Sequence, residues 1–246
     1  MAQATDIPLA VMASRVRREE KLIFAALQRR GLPDRHVDDR TLAIELNSQR
    51  AAYRAALNRS LSHTRSLYLA QLFEAAGARV FNSSATIETC GDKIRTSLAL
   101  IRAGAPTPRT IVALTPEAAL QAIDELGYPV VLKPATGSWG RLLAKITNRE
   151  AAEAVLEHKQ TLGSPAHAVI SIQEDIDKPD RDIRTIVIGD EVISAMYHSS
   201  ARWITNTARG ATPTRCELTD ELVSLPLLAA QLRAAPAAAP LATRGI

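Results

Sequence analysis

Apolar residues in this chain recur in short β-branched runs separated by amphipathic stretches, and that alternation predicts the elements in order. Ile7 to Ala13 reads as a strand. Arg17 to Arg30 reads as a helix with Leu22, Ile23, Ala26 and Leu27 on one face and Gly31 placed to end it. His36-Val37 and Thr41 to Leu46 are weaker strand candidates, followed by a short strand within Tyr53 to Asn58. Ser62-His63-Thr64-Arg65 then precedes a helix from Ser66 to Ala76 stopped at Gly77, and Arg79 to Asn82 is the next strand. Strands alternating with helices over residues 1–88 predict a small parallel-sheet α/β unit. Ligands of open α/β sheets bind just beyond strand ends, so His63 and Arg65 are either ligand contacts or plain polar loop residues.

From Ser84 a helical turn leads to Cys90-Gly91-Asp92-Lys93, and a helix follows from about Ile94 to Ala103, ended by Gly104. Pro106-Thr107-Pro108 forces an extended passage into the strand Thr110 to Leu114. Thr115 as N-cap with Pro116 behind it opens a helix through Leu126. Pro129 to Lys133 and Leu142 to Ile146 are apolar runs flanking Gly137-Ser138-Trp139-Gly140-Arg141, which predicts a β-hairpin with a glycine loop at its tip. Thr147 to Glu150 has the capping-box pattern, giving a helix from Asn148 to Thr161, and Ala168 to Asp175 is a strand. Residues 109–175 therefore read β-α-β-β-α-β, a lid-like α+β unit. Thr185 to Ile188 and Val192 to Tyr197, joined through Gly189-Asp190, predict an antiparallel hairpin with a type I′ turn.

Composition narrows the class without naming a chemistry. A chain of 246 residues with 46% hydrophobic and 23% charged content describes a soluble globular protein of one or two domains. A net charge of +4 suits a polyanionic small ligand or an acidic partner, and with no clustered basic patch nucleic acid is not expected. Cys90 and Cys216 lie far apart without a CxxC pattern, so neither a disulfide framework nor a zinc site is indicated. No apolar run reaches membrane-spanning length and no basic segment precedes Ile7 to Ala13, so a cytoplasmic location is expected.

Candidate chemistry gathers at the glycine loop. Its glycines let the backbone take positive φ and approach an anion, while N–H groups, the Ser138 hydroxyl and the Arg141 guanidinium can donate to phosphate oxygens. Lys133 adds a point charge. Neither a Walker A motif nor GxGxxG is present, and an ordinary glycine-rich turn fits the same residues.

In this order, GDK at 91–93, YPVVLKP at 128–134, GSWGR at 137–141, QED at 173–175, RDIR at 181–184 and WITNTARG at 203–210 resemble the ATP-grasp ligases, over about residues 7 to 225. More closely, the set is similar to the carrier-protein ligases that join 2-aminoadipate to the C-terminal glutamate of a small acidic amino-group carrier protein, relatives of the ribosomal-protein glutamate ligases. The resemblance implies an α/β plus α+β fold of the ATP-grasp type. Its parts would be an N-terminal parallel-sheet α/β domain at 1–88, a lid-like central domain at 89–167, an incomplete C-terminal lobe at 168–225 and an Ala/Pro-rich tail at 226–246. By the same resemblance Lys93 and Lys133 face the phosphates of ATP, and Gly137, Ser138, Trp139, Gly140 and Arg141 close over them. Gln173, Glu174 and Asp175 read adenine at a hinge, although the family usually has an aromatic residue where Asp175 stands. Asp182 contacts the ribose and Asn206 lies near the phosphates. Arg202, Trp203, Thr207 and Ala208 hold the amino-acid substrate, with Arg184 and Arg209 as catalytic anion clamps.

The implied reaction is ATP- and Mg2+-dependent peptide-bond formation through an acyl phosphate, in lysine or arginine biosynthesis, with 2-aminoadipate or glutamate as the amine and a homo-oligomer as the enzyme. Such chemistry needs positioning and charge neutralisation more than a covalent nucleophile, in keeping with a chain that shows no Ser-His-Asp or Cys-His grouping. One departure stands out. The family continues after the equivalent of Leu225 with an acid-bearing strand and a Glu-x-Asn motif that hold Mg2+, whereas this chain has no Asp or Glu after Glu221. No metal ligand is therefore assigned, Mg2+ is expected to be held mainly by ATP, and the alternative function is a nucleotide-binding remnant without ligase activity. Missing core strands would also leave an apolar face exposed.

Overall fold

The computed structural model describes residues 7–46, 52–137, 139–162, 168–230 and 241–243. The chain divides into two compact units, Met1–Glu88 and Thr89–Leu232, with the strand Leu241–Thr243 belonging to the second.

In the first unit β1 (Leu9–Met12), β2 (Asp34–Val37), β3 (Ala55–Asn58) and β4 (Arg79–Phe81) form a parallel sheet in the order β2-β1-β3-β4. Helix α1 (Arg18–Arg29) carries the chain from β1 to β2 and α2 (His63–Ala75) from β3 to β4, the crossovers that parallel pairing requires. Ala10, Met12, Val37, Ala56, Leu69, Phe73 and Val80 make the core. Thr41 to Leu46 form no strand, because Asp38 ties the chain into a turn: its carboxylate accepts from the Arg40 N–H at 3.0 Å and its carbonyl from the Thr41 N–H at 3.2 Å. Leu22 does not join the buried face of α1 and is 61% exposed. Helix α2 begins at His63, not Ser66, since the Ser62 hydroxyl accepts from the Arg65 N–H and caps it. His63 and Arg65 thus lie in a first helical turn, where Arg65 pairs with Asp39 at 3.3 Å.

The wholly buried residue of α1 is a charged one. Arg17 at 2.8 Å and Arg59 at 3.0 Å bracket the Glu20 carboxylate. The hydrogen bond from the Arg17 side chain outweighs the desolvation that opposes it and lowers the Glu20 pKa from 4.5 to about 2.

The second unit continues through α3 (Ser84–Gly91), most of which precedes it, and α4 (Lys93–Arg102). The order β5 (Thr110–Ala113), α5 (Pro116–Leu126), β6 (Val130–Pro134), β7 (Ala144–Ile146), α6 (Arg149–Leu162), β8 (Ile170–Glu174) is the β-α-β-β-α-β expected. Its antiparallel sheet runs β5-β8-β6-β7. Ala119, Ile123, Ala152 and Leu156 of the two helices bury Val130, Leu132, Ile146, Ile170 and Ile172. Alternation along β6 therefore sends Val131 and Lys133 to the other side. Thr115 caps α5 by accepting from Ala118 N–H at 3.2 Å. Helix α6 is capped by Asn148, whose Oδ1 accepts from Ala151 N–H at 2.8 Å, so Thr147 is not its capping residue.

A second antiparallel sheet runs β11-β10-β9-β12, from β9 (Arg181–Ile188), β10 (Glu191–Ser199), β11 (Thr212–Cys216) and β12 (Leu241–Thr243). Gly189 alone of the two turn residues takes a positive φ, 61°, which matches a type II′ turn in place of the type I′ expected. Ile183, Ala195 and Cys216 pack with Tyr197 and with Leu222 of α7 (Asp220–Ala230). Residues 226–230, read as the start of an Ala/Pro-rich tail, continue α7 past Pro226, and Leu241–Thr243 pairs with the edge of β9. Leucine and alanine favour helix, and an open strand edge accepts a partner, so poor complexity there does not mean lack of structure. Residues 231–240 lie outside the described residues. No helix among the described residues is long and apolar enough to cross a membrane.

Glu20→Gln is expected to lower stability at neutral pH by about 1–2 kcal/mol, reduced from the full shift because both arginines are about two-fifths exposed. Urea unfolding checks this. A depressed carboxylate pKa contributes stability above the unfolded value of 4.5 and loses it as pH falls toward about 2, so the two unfolding curves should converge over that window.

Candidate functional site

A cavity of about 560 Å³ lies in the second unit, lined by the β6–β7 hairpin, the end of β8, the start of β9 and residues 203–206. Strand alternation decides which side chains reach it. Val131 and Lys133 of β6 do, as do Gln173 and Asp175 at the end of β8. Glu174 points the other way: its carboxylate accepts from the Arg109 N–H at 2.7 Å, and its own N–H donates to the Arg109 carbonyl at 3.0 Å. On β9, Asp182 and Arg184 line the cavity while Ile183 and Thr185 are buried on the opposite face.

The cavity is rich in cations. Asp92 caps α4 by accepting from the N–H of Ile94 at 2.8 Å and of Arg95 at 3.1 Å, which sets Lys93 at the helix start. The Lys93 ammonium donates to the Gly137 carbonyl at 2.9 Å, and burial lowers its pKa against the opposing pull of Asp92. Lys133 donates to the side-chain oxygen of Gln173. Lys145 pairs with Asp175 at 2.5 Å and Lys178 with Asp182 at 2.6 Å. Thr205 joins the second pair, accepting from Lys178 at 3.0 Å and donating to Asp182. Arg184 completes the set, and its Nε is buried with no hydrogen-bond partner among the described residues. Val131, Leu143, Ile176 and Ile204 supply apolar wall. Apolar surface beside several cations is the combination that a base joined to phosphates requires.

The glycine loop stands over these groups in unusual backbone. Gly140 takes φ 66°, and two non-glycine neighbours, Trp139 at 62° and Leu142 at 57°, occupy the same left-handed region. Such strain persists only where surrounding contacts hold it. Here a Cβ on Gly140 would stand 3.1 Å from the Ile204 side chain, and Arg209 donates to the Gly140 carbonyl at 3.0 Å. Loop and 203–209 segment are therefore latched together. Arg141 lies over the Trp139 ring, 4.8 Å from its centroid. Ser138 falls outside the described residues.

Of the candidates read from sequence, the fold brings Lys93, Lys133, Gly137, Trp139, Gly140, Gln173, Asp175, Asp182, Arg184, Trp203 and Asn206 to this cavity. Arg202 and Arg209 line a separate depression of about 640 Å³ beside Asp180 and Ser199. Thr207 and Ala208 line neither; Ala208 N–H instead donates to Asn206 Oδ1 at 2.8 Å, which closes the short 3-10 turn Thr207–Arg209. Sequence reasoning missed Lys145, Lys178 and Thr205. Lys145 was visible as a polar break in the second hairpin run, and Lys178 by its four-residue spacing from Asp182; nothing in the sequence marked Thr205. Among the described residues no group of three His, Cys, Asp or Glu side chains could hold a metal ion.

Residues 90–239, more than half of the chain, match the RimK-like ATP-grasp domain, and residues 9–89 match the LysX preATP-grasp domain. The chain belongs to the RimK-like ATP-grasp family. It is 37% identical over 216 residues to the glutamate–LysW ligase ArgX of Sulfolobus acidocaldarius, covering 87% of this chain and 77% of that one. To the alpha-aminoadipate–LysW ligase LysX of Saccharolobus solfataricus it is 39% identical over 172 residues, 70% of this chain and 62% of that one. The crystal structure of a RimK domain ATP-grasp protein from Sphaerobacter thermophilus aligns with a TM-score of 0.77 at 27% identity, over 94% of this chain and 83% of that one. The ATP-grasp fold expected from the motifs is thus the fold of this family member.

Gly140→Ala is expected to weaken nucleotide binding about 5- to 30-fold, the equivalent of about 1–2 kcal/mol for a side chain in left-handed backbone. Gly189→Ala serves as the control: it also has positive φ but meets nothing within 4 Å, so a thermal melt should shift while a nucleotide titration does not.

Proposed function

We propose that this chain is an ATP-dependent carboxylate–amine ligase that joins the amino group of glutamate or 2-aminoadipate to the C-terminal glutamate of a small acidic carrier protein, in arginine or lysine biosynthesis. The observation that carries the reading is the cavity under the glycine loop, lined by Lys93, Lys133 and Arg184. Lys93, Lys133 and Arg184 converge on one cavity beside an apolar wall, and phosphate oxygens would neutralise them, so the residues present fit a nucleoside triphosphate. The relatives named for glutamate and for alpha-aminoadipate, both ligases of LysW, support the choice of amine and of carrier.

The reaction implied by the family resemblance has two steps. A carboxylate oxygen of the carrier attacks the γ-phosphorus, the bond to the β-phosphate oxygen breaks, and ADP leaves an acyl phosphate behind. The amine then attacks the acyl carbon, phosphate departs, and the amine proton is released. Lys93, Lys133 and Arg184 would orient and neutralise the phosphates. Asp182, held by Lys178 and Thr205, would accept from the ribose hydroxyls, and Gln173 with Asp175 would read the base edge. Arg202 and Arg209, in the neighbouring depression, would pair with substrate carboxylates. Asp175 and Asp182 are each held by a lysine, and Mg2+ would arrive on the ATP phosphates. The same reading sets the protein in the cytoplasm as a homo-oligomer.

Intact mass of the carrier after incubation with this chain, MgATP and either amino acid tests the proposal, with ADP release followed in parallel. A gain of one ligated amino acid is expected. ATP binding without any mass gain would replace the ligase reading with a nucleotide-binding remnant. Lys133→Ala should weaken ATP binding by about 1.5–3 kcal/mol, roughly 10- to 150-fold, and an unchanged affinity would remove Lys133 from the phosphate site.

A further inference from the structure

His198 on β10 takes no part in the mechanism above, yet its placement is specific. It lies opposite Asp182 of β9 while Met196 lies opposite Arg184, so His198 and Arg184 are diagonal neighbours on the cavity side of the sheet. The residue is 5% exposed. Two polar atoms here lack partners: His198 Nδ1 and Arg184 Nε are both buried, and neither is hydrogen-bonded among the described residues.

The chemistry of the two atoms is complementary. The Thr205 backbone acts on the ring in the sense that favours its protonated form, as a carbonyl facing a ring N–H does. Burial, and after it the charge of Arg184, push the ring below its ordinary pKa, against the pull of Asp182 and of the Thr205 backbone, and so favour the neutral form. A neutral ring with its proton on Nε2 carries a lone pair on Nδ1. Among the described residues Arg184 Nε is a buried donor without an acceptor, and on that tautomer Nδ1 is a buried acceptor without a donor.

We propose that His198 is the positioning residue for Arg184: when nucleotide binds, Arg184 Nε–H donates to His198 Nδ1, which turns the two terminal guanidinium nitrogens toward the phosphates as a fixed fork. The inference rests on the reading of the cavity as a nucleotide site. Thr205, tied to Asp182 and Lys178, also acts on the ring through its backbone, so the ribose-facing and phosphate-facing groups lie in one cluster.

Asparagine and glutamine separate the two ring nitrogens, because the Asn amide oxygen can stand where Nδ1 does and the Gln amide nitrogen where Nε2 does. The full chain and its His198→Asn and His198→Gln variants are titrated with a non-hydrolysable ATP analogue and with adenosine. His198→Gln should weaken the analogue about tenfold and leave adenosine unchanged, while His198→Asn stays within about twofold of the parent on both. Equal losses in the two variants, or equal losses on both ligands, would make the ring a packing residue and overturn the proposal. If the parent binds neither ligand, the nucleotide reading itself fails and takes the inference with it. Should a variant not fold, the parent alone decides: the 15N resonance of His198 Nδ1 must move to a hydrogen-bonded position on adding the analogue, and a stationary resonance overturns the pairing.

Discussion

Antiparallel pairing of β9 with β10 is the constraint on which the site depends. Along β9, Asp182 and Arg184 face the cavity because Ile183 and Thr185 are committed to the opposite side, where Ile183 packs with Ala195, Cys216 and α7. A slip of one residue would exchange those faces and place two charges in the core. The register irregularity between Val192 and Ser194 lies at the turn end, and beyond it pairing runs unbroken from Ala195 to Ser199. The end of the hairpin that carries the chemistry is the regular one.

Two charged clusters in the protein show what separates structural from ligand-directed polarity. Glu20 in the first unit is bracketed by Arg17 and Arg59, and its lowered pKa follows from that closure. In the second unit Asp175 and Asp182 are likewise held by lysines, but Arg184 Nε and His198 Nδ1 have no hydrogen-bond partner among the described residues, and the loop above them keeps two non-glycine residues in left-handed backbone. Open hydrogen-bonding capacity together with strain is what a fold retains for a partner it has yet to meet.

Much of the architecture was legible because its signals are local. Thr115-Pro116 opens α5, Gly104 follows α4, and the paired apolar runs around Gly137–Arg141 make a hairpin, since each depends on residues a few positions apart. The motif set from Asp92-Lys93 to the segment ending at Gly210 likewise pointed to the ATP-grasp fold. Local rules failed where two of them competed. Asn148 displaced Thr147 as a cap, and Asp38 turned a β-branched run into a bend. Helix-forming leucines carried α7 through Pro226.

By itself the sequence determined the order of elements, the parallel first unit and the glycine loop, because periodicity and turn chemistry are written in neighbouring positions; most residues that line the cavity were legible through the resemblance to the ATP-grasp ligases. Tertiary structure alone decided that Glu174 turns away toward Arg109, that Lys145 and Lys178 hold Asp175 and Asp182, and that His198 stands diagonally across from Arg184. Those relations depend on which strands pair and in what register, a choice made by burial across residues distant in the chain. Spacing along one strand carries no record of the strand beside it.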